Sequence, residues 1–355
     1  MVAAQAEAQV VLQRVSVPLS IEFDSNPTFS KNDKQSIWRY TAAPTYSISA
    51  VDDLNRWYTN IGFSIQRSSN KSISVDREDP NLVLGWNRTL EKGNFSLVAN
   101  YNENSTRTTE LRTTGLINQD ITATTKSIEA VWLRELTDRL NFSLNAGLVK
   151  NSYDSPSFTG YNTKSIGSSL SYQVSEKLVT FVNLGYEKYK TDATSTQNSQ
   201  SSRNSQNYNA GFNYIVSPQL DFSLLAGFNR TSSAGSAKIG RASFNYQAER
   251  HLLRGALARD VSPTGLGDFQ ETDRLSLGYS YNLSEKSNIG TEYTLQKNNS
   301  LNSNETTYLS NFYSRNFSDR WAMRVSLDLR RIKDTVQTVN GEIAGLTFIY
   351  NTPEF

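Results

Sequence analysis

The feature that most limits what this chain can become is an apolar residue at every second position, carried through one hairpin after another. In Ile166–Tyr186, IGSSLSYQVSEKLVTFVNLGY, the large residues Ile166, Leu170, Tyr172, Val174, Leu178, Val182, Leu184 and Tyr186 all share one parity. Gly, Ser and Asn fill much of the other, and the polar triplet Ser175-Glu176-Lys177 breaks the run. Period-two alternation sends the two sets to opposite faces of a strand, so the faces meet different surroundings. The unit recurs at Leu275–Leu295 (LSLGYSYNLSEKSNIGTEYTL) and Tyr208–Phe228 (YNAGFNYIVSPQLDFSLLAGF). Shorter versions fold across Thr137-Asp138-Arg139 and Ser318-Asp319-Arg320.

A chain of this kind can line a membrane without being hydrophobic on average. It is 37% hydrophobic with a mean hydropathy of −0.53, and no run approaches the roughly 18 apolar residues of a spanning helix. That excludes a helical membrane protein, whereas a barrel shows lipid only every second residue of each strand. The net charge of +2 is too small for a nucleic-acid partner, and no basic stripe interleaved with aromatics occurs. With no cysteine there are no disulfides or thiolate metal sites, and nothing in the sequence calls for a cofactor. The 18 Tyr, 16 Phe and 5 Trp fit residues whose apolar body sits beside a wet edge, as at a membrane interface.

Ala6-Glu7-Ala8 fits the A-x-A pattern before signal cleavage, so residues 1–14 read as a signal remnant or flexible start and 15–355 as one barrel domain. The first strand is Val15–Phe23, with Pro18 tolerated near a strand start or bulge, and the second is Trp38–Ala50. Strand three carries Trp57 to Ile65, strand four Leu82 to Trp86, and strand five Phe95 to Tyr101. Six and seven run Ile128 to Leu136 and Leu140 to Leu148. Eight and nine form the Ile166–Tyr186 hairpin, ten and eleven the Tyr208–Phe228 hairpin. Twelve and thirteen lie near Ala242–Tyr246 and Leu253–Leu257 with their parity open. Fourteen and fifteen fall in Leu275–Leu295, sixteen and seventeen in Leu309–Leu329, and the last within Ile343–Asn351.

The expectation is an all-β, transmembrane, up-and-down antiparallel β-barrel of about 18 strands, with 16 as the alternative. Turns of about two to four residues alternate with long polar connections such as Asn102–Thr125, Asn151–Asn162 and Thr191–Asn207. Short periplasmic turns and longer extracellular loops are the outer-membrane arrangement, which puts both termini in the periplasm. A soluble β-solenoid is the rival that internal repeats invite.

With the apolar set in lipid, the other parity faces the bore. The expected pore-lining residues are Tyr58, Asn100, Asn102, Asn145, Asn209, Asn213, Asn229, Arg274, Ser276, Ser280, Tyr308, Arg324, Asp328 and Arg330. Small amides and hydroxyls dominate, with few charges. Strands ~4.8 Å apart and tilted ~40° enclose a cylinder about 36 Å across, too wide for Ser, Gly and Asn to fill. The bore is then wet, or it holds an inward-folded loop. An amide-rich conduit suits a hydroxyl-rich polymer or mixed small solutes, although Asn and Ser are also the simplest hydrated residues for a barrel interior. Tyr58, Tyr308 and Phe312 either stack on sugar rings or pack beneath a loop. Arg134 and Arg315 fall on the lipid side near the turns, where snorkelling accounts for them.

No catalytic constellation is legible, and the chain is expected not to be an enzyme. His251, the only histidine, sits at the turn Glu249-Arg250-His251 and reads as solvated rather than as a base. Ser68-Ser69-Asn70-Lys71 matches S-x-x-K without its companion motifs. Asp76, Glu78 and Asp79 lack the spacing of a calcium loop and read as a solvated acidic stretch.

The opening Ile21-Glu22-Phe23-Asp24-Ser25-Asn26-Pro27, the S-[DE]-[RK] turns and the ending GLTFIYNTPEF with its terminal Phe355 carry a family likeness. On these residues the chain resembles the outer-membrane β-barrels of bacterial exopolysaccharide export loci, a beta-barrel porin group that includes Vibrio polysaccharide-secretion barrels. The resemblance spans nearly the whole chain; Pro353 departs from the usual final strand, and no aromatic stands third from the end. It implies a passive conduit for a secreted polysaccharide, in contact with outer-membrane lipid and lipopolysaccharide and fed by a periplasmic polysaccharide-export protein. A general diffusion porin for small solutes and a plugged scaffold or adhesin barrel are the alternatives.

Overall fold

The structure, a computed structural model, describes residues 10–107, 109, 120–155, 158–192, 201–233, 235–299 and 303–354. The Ala6-Glu7-Ala8 motif and Phe355 lie outside the described residues. The strands are β1 (Val10–Asp24), β2 (in two pieces, Ile37–Ala42 and Thr45–Val51), β3 (Asn55–Ser68), β4 (Arg77–Leu90), β5 (Gly93–Ser105) and β6 (Thr122–Thr137). Next come β7 (Leu140–Tyr153), β8 (Tyr161–Ser175), β9 (Leu178–Thr191), β10 (Ser202–Ser217), β11 (Leu220–Thr231) and β12 (Gly235–Gln247). The chain ends with β13 (His251–Pro263), β14 (Phe269–Ser284), β15 (Ser287–Asn299), β16 (Asn304–Asn316), β17 (Trp321–Lys333) and β18 (Thr338–Asn351).

Each strand pairs antiparallel with the next, and β18 returns to β1 from Ser16↔Asn351 to Asp24↔Ile343. The sheet is therefore a closed barrel without an edge, which rules out the solenoid and the 16-strand count. The interruption of β2 is a matter of prolines. Pro44 has no N–H to give and Pro18 removes another donor from the neighbouring strand. The ladder survives locally because Ala43 N–H reaches the Pro18 carbonyl at 2.9 Å and Phe63 N–H reaches that of Pro44 at 3.1 Å. Both pieces keep one register against β1 and β3, so they count as a single strand.

Directly paired residues share a face, and the registers carry one apolar set right round the wall. Ile21 stands beside Tyr40, Tyr46 beside Ile61, Trp57 beside Trp86, Leu97 beside Ala130, and Ala146 beside Ile166. The open parity of β12 and β13 resolves the same way, with Ala242 beside Leu257 and Tyr246 beside Leu253. Near the short turns this face carries a girdle of rings: Trp57 stacks on Trp86 at 5.1 Å, Trp86 meets Phe95 at 5.6 Å, and Trp321 meets Tyr350 at 4.8 Å. Arg134 lies on this face beside Phe142, and Arg315 sits 5.8 Å from the Phe317 ring. His251, at the start of β13, belongs to the same belt, 3.0 Å from the Tyr279 hydroxyl.

Two boundaries differ from the sequence reading, for one reason. The first strand begins at Val10, not Val15, and the stretches read as loops are ladder at both their ends. Lys190 to Gly185 pairs with Ser202 to Asn207 inside the predicted Thr191–Asn207 loop. Alternating hydropathy reports which solvent a face meets, not whether the backbone pairs. Once a strand leaves hydrocarbon both faces are wet, and the pattern fades while the hydrogen bonds continue. Strands of up to 16 residues exceed the roughly 9–11 that a bilayer requires. The connections at the end opposite the termini are also uneven. Residues 25–36, 69–76 and 106–121 make long ones, whereas 232–234 and 334–337 barely turn the chain.

Candidate functional site: the bore and its mouth

The interior face is fixed by contacts that include strands not adjacent in the wall. Asp24, at the end of β1, accepts from Arg39 of β2 at 2.9 Å, from Arg330 of β17 at 2.7 Å and from Arg107, just past β5, at 2.6 Å. Along the wall β4, β3, β2, β1 and β18 separate β5 from β17, so these groups meet through the bore. Asp24 is 0% exposed. An anion buried so deeply persists only with this many cationic donors around it.

The two described ends of the 106–121 connection are both tied to the inner wall. Arg107 holds its beginning to Asp24. At its end Asp120 accepts from the Ser74 hydroxyl at 2.6 Å and from that of Ser105, and lies 3.5 Å from Arg77. Arg77 is itself paired with Asp79 at 2.8 Å, and Arg39 also reaches Glu22. The 25–36 connection adds an apolar foot. Phe29 packs on Val339, Tyr308 and Ile332, with the Arg330 guanidinium 4.8 Å over its ring.

A second crossing comes from the tip between β13 and β14. The Tyr189 hydroxyl of β9 donates to the Thr264 carbonyl at 3.0 Å, and Thr159 N–H donates to that of Gly265 at 2.8 Å. Tyr189 is sandwiched between Tyr161 at 5.1 Å and Phe269 at 5.5 Å. Asp268 pairs with Arg203 of β10 and accepts from the Ser233 hydroxyl at 2.9 Å. Burial pushes the Asp268 carboxyl up, but Arg203, the Phe269 N–H and the Ser233 hydroxyl outweigh it and hold it below the usual carboxylate range.

These crossings divide the bore. At the loop end the inward residues of most strands are buried, among them Thr163, Ser205, Asn229, Gln270, Asn298 and Thr306. Toward the turns they are half-buried or exposed. All fourteen residues expected to line the pore have the inward parity, but they do not form one surface. Asn229 is bonded to Ser205 and only 4% exposed, Arg330 is in the Asp24 cluster, and Tyr308 packs on the Phe29–Val339 cluster, so these three are taken up in packing at the loop end. Asn100 donates to Ser127, Asn102 accepts from Asn104, and Asn209 is in an amide ladder with Asn183 and Asn207. Asn145 lies over Gly167, Arg274 donates to Gln296 at 2.9 Å, and Asp328 accepts from Ser310. Asn213, Ser276 and Ser280 complete the turn-side wall, with Asn213 exposed.

The inward aromatics lie flat. A Cβ at Gly85 would stand 1.9 Å from the Tyr58 ring, and Phe312 covers Gly290 in the same way with Arg324 4.2 Å over its outer face. They pack on the wall rather than project toward a passing sugar. Charges are more numerous than expected but mixed. Glu129, Asp221 and Glu292 face the bore, as do Arg241, Arg254 and Arg324. In the acidic stretch each carboxylate is taken by a cation: Asp76 by Lys71 at 2.8 Å, Glu78 by Arg67, and Asp79 by Arg77.

Sequence reasoning missed Asp24, Arg39, Arg77, Arg107, Asp120 and Tyr189. The available signal was position: an arginine or aspartate of inward parity at the last residues of a strand has no lipid to avoid and a folded-in loop to hold.

The fold has clear counterparts among solved structures. OccAB4 of Acinetobacter baumannii superposes with a TM-score of 0.54 at 10% identity over 99% of this chain and 100% of that one. OpdO of Pseudomonas aeruginosa gives 0.55 at 10% identity over 96% and 97%. The siderophore receptor PirA of Pseudomonas aeruginosa gives 0.53 at 9% identity over 96% and 80%. At these identities the likeness establishes the closed barrel and nothing finer. No family model and no curated protein matches the chain, so the resemblance to exopolysaccharide barrels has no support from that side.

Proposed function

We propose that this chain is a channel of the bacterial outer membrane that passes small hydrophilic solutes. The observation that carries the reading is the division of the bore: an amide-lined and charge-balanced floor beneath a mouth where Arg107 and the 264–268 tip are tied to the inner wall. The apolar exterior with its aromatic girdle and the absence of a sheet edge support a wall standing in hydrocarbon. Long connections at the end opposite the termini support an orientation with both termini in the periplasm. Mixed charge on the inner face favours neither cations nor anions strongly. A secreted polymer needs clearance along the whole bore, and the Asp24 ties stand across it, so export of a polysaccharide is the weaker reading.

Two measurements test the proposal together. Membrane fractionation of cells should recover the protein with the outer membrane. Proteoliposomes should swell in mono- and disaccharides, and slowly or not at all in long dextrans. Recovery in the soluble fraction, or equal swelling in sugars of every length, would overturn it.

A further inference from the structure

The outer face of the barrel carries its charges in two opposite ways. On β13 to β17 they alternate in register: Arg259 faces Asp273, Asp273 faces Lys297, Lys297 faces Glu305, and Glu305 faces Lys333. Each cation of this row has an acid opposite it, Arg259 holds Asp273 through two hydrogen bonds, and the neighbouring Arg331 faces Thr307 and Asn340. On β6 to β9 cation faces cation. Lys126 is directly opposite Lys150 and Lys164 is directly opposite Lys188, with Leu148 setting Lys150 one step from Lys164. Arg230 of β11 and Lys238 of β12 continue the arc on the same face.

All six are exposed, and none forms an ion pair among the described residues. The acids at the border are otherwise engaged. Glu103 takes the Tyr101 hydroxyl, and Asp192 takes the Asn162 amide at 3.0 Å. Like charges placed directly across a ladder repel, so this arrangement needs anions from outside the chain.

Immediately on the hydrocarbon side of the arc the wall is hollowed. Ala99 is a small outward residue among Leu84, Ile128 and Leu148, leaving a groove of about 440 Å³ whose upper border is Tyr101, Lys126, Lys150 and Lys164. Ser168, between Leu144 and Leu184, leaves another of about 340 Å³ near Tyr186 and Tyr208. A comparable groove of about 410 Å³ lies under the alternating half, bordered by Ile289, Tyr313 and Val325. Acyl-sized grooves therefore occur on both sides, and directly opposed cations above them on only one.

We infer that the β6–β12 face is a docking site for a phosphorylated, multiply acylated lipid, the chemistry of the lipid A moiety of lipopolysaccharide. The lysine pairs take its phosphates and the grooves below take its acyl chains. Paired lysines at one height suit a headgroup carrying more than one phosphate better than the single charge of a glycerophospholipid. The inference rests on the outer-membrane orientation proposed above, which puts the loop end in the outer leaflet. Its test does not, because binding is read on the isolated protein whereas orientation is read on cells.

The test uses the full-length protein in detergent, with native mass spectrometry counting retained lipid. Bis-phosphorylated lipid A should remain bound. The K126Q/K150Q/K164Q/K188Q variant should bind it at least about twentyfold more weakly, since each lysine beside an anionic surface is worth roughly fivefold. K297Q/K333Q, on the alternating half, should bind as the parent does. Retention unchanged in the quadruple variant would overturn the inference. So would equal retention of dephosphorylated lipid A or of phosphatidylglycerol by the parent, or displacement by millimolar inorganic phosphate alone. The parent protein answers the last three points even if the quadruple variant fails to fold; the four-arginine variant, which keeps the charge, should retain the lipid.

Discussion

The two ends of the bore are built from the same strands and differ in what faces inward. Toward the turns, small amides bond along the wall, as in Asn183, Asn209 and Asn207, and leave room for water. Toward the loops, long side chains reach across: Arg107 and Arg330 to Asp24, Tyr189 to Thr264, and Arg203 to Asp268. The first end lines the bore with short groups, and on the proposed function the second would set its selectivity. A wall of short polar groups pairs with itself, whereas a ring of long charged ones pairs only across the space it encloses.

The contrast breaks most completely at Asp24. In Asp24→Asn three arginines lose their common anion in a buried site, a change worth about 3–5 kcal/mol. Arg107 should then be released from the wall, and the larger solutes excluded by the parent should swell proteoliposomes. Tyr189→Phe removes one buried hydrogen bond to the Thr264 carbonyl, which keeps the Gly267 N–H at 3.3 Å, costing about 0.5–1.5 kcal/mol. Heat-modifiability on gels should show unfolding at lower temperature, with solute cut-off moved less than in Asp24→Asn. A turn-side change sharpens the comparison from the other direction. Gly85→Ala puts a methyl group where the Tyr58 ring lies, so the ring must swing into the bore, and single-channel current should fall modestly while the cut-off at the mouth stays put.

The smallest effect is on pH. The Asp268 carboxyl titrates below its usual range, so its tie to Arg203 is at full strength above about pH 4 and is lost as pH falls through the lowered value. Current measured from pH 7 down to 3 should be flat until that lower limit and then become noisier as the tip loosens. Asp268→Asn should show that noise at every pH.

How far the sequence spoke depended on which medium a residue met. Residues in hydrocarbon were legible: Leu97, Ile128, Leu184 and Phe228 announce the outward face because water and lipid demand opposite chemistry. The amide floor was legible by subtraction, as the complementary parity. Val10–Arg14 and Ser202–Asn207 were not, since strands wet on both faces carry no alternation even while their backbones pair. The mouth was least legible. Arg39, Arg77 and Arg107 act through contacts set by loop folding, and nothing local to those residues states that Asp24 lies within reach. Only Arg39 and Arg77 carried a mark, inward parity near a strand end, and Arg107, past the end of β5, had none.

The central claim is that the ties at Asp24 close the mouth of an otherwise wet channel. Planar-bilayer recording of the parent beside Asp24→Asn tests it directly. Small, steady unitary steps in the parent and severalfold larger ones in the variant are the expected result. Equal conductance in the two, or an electrically silent variant that still runs as a folded barrel, would contradict the account.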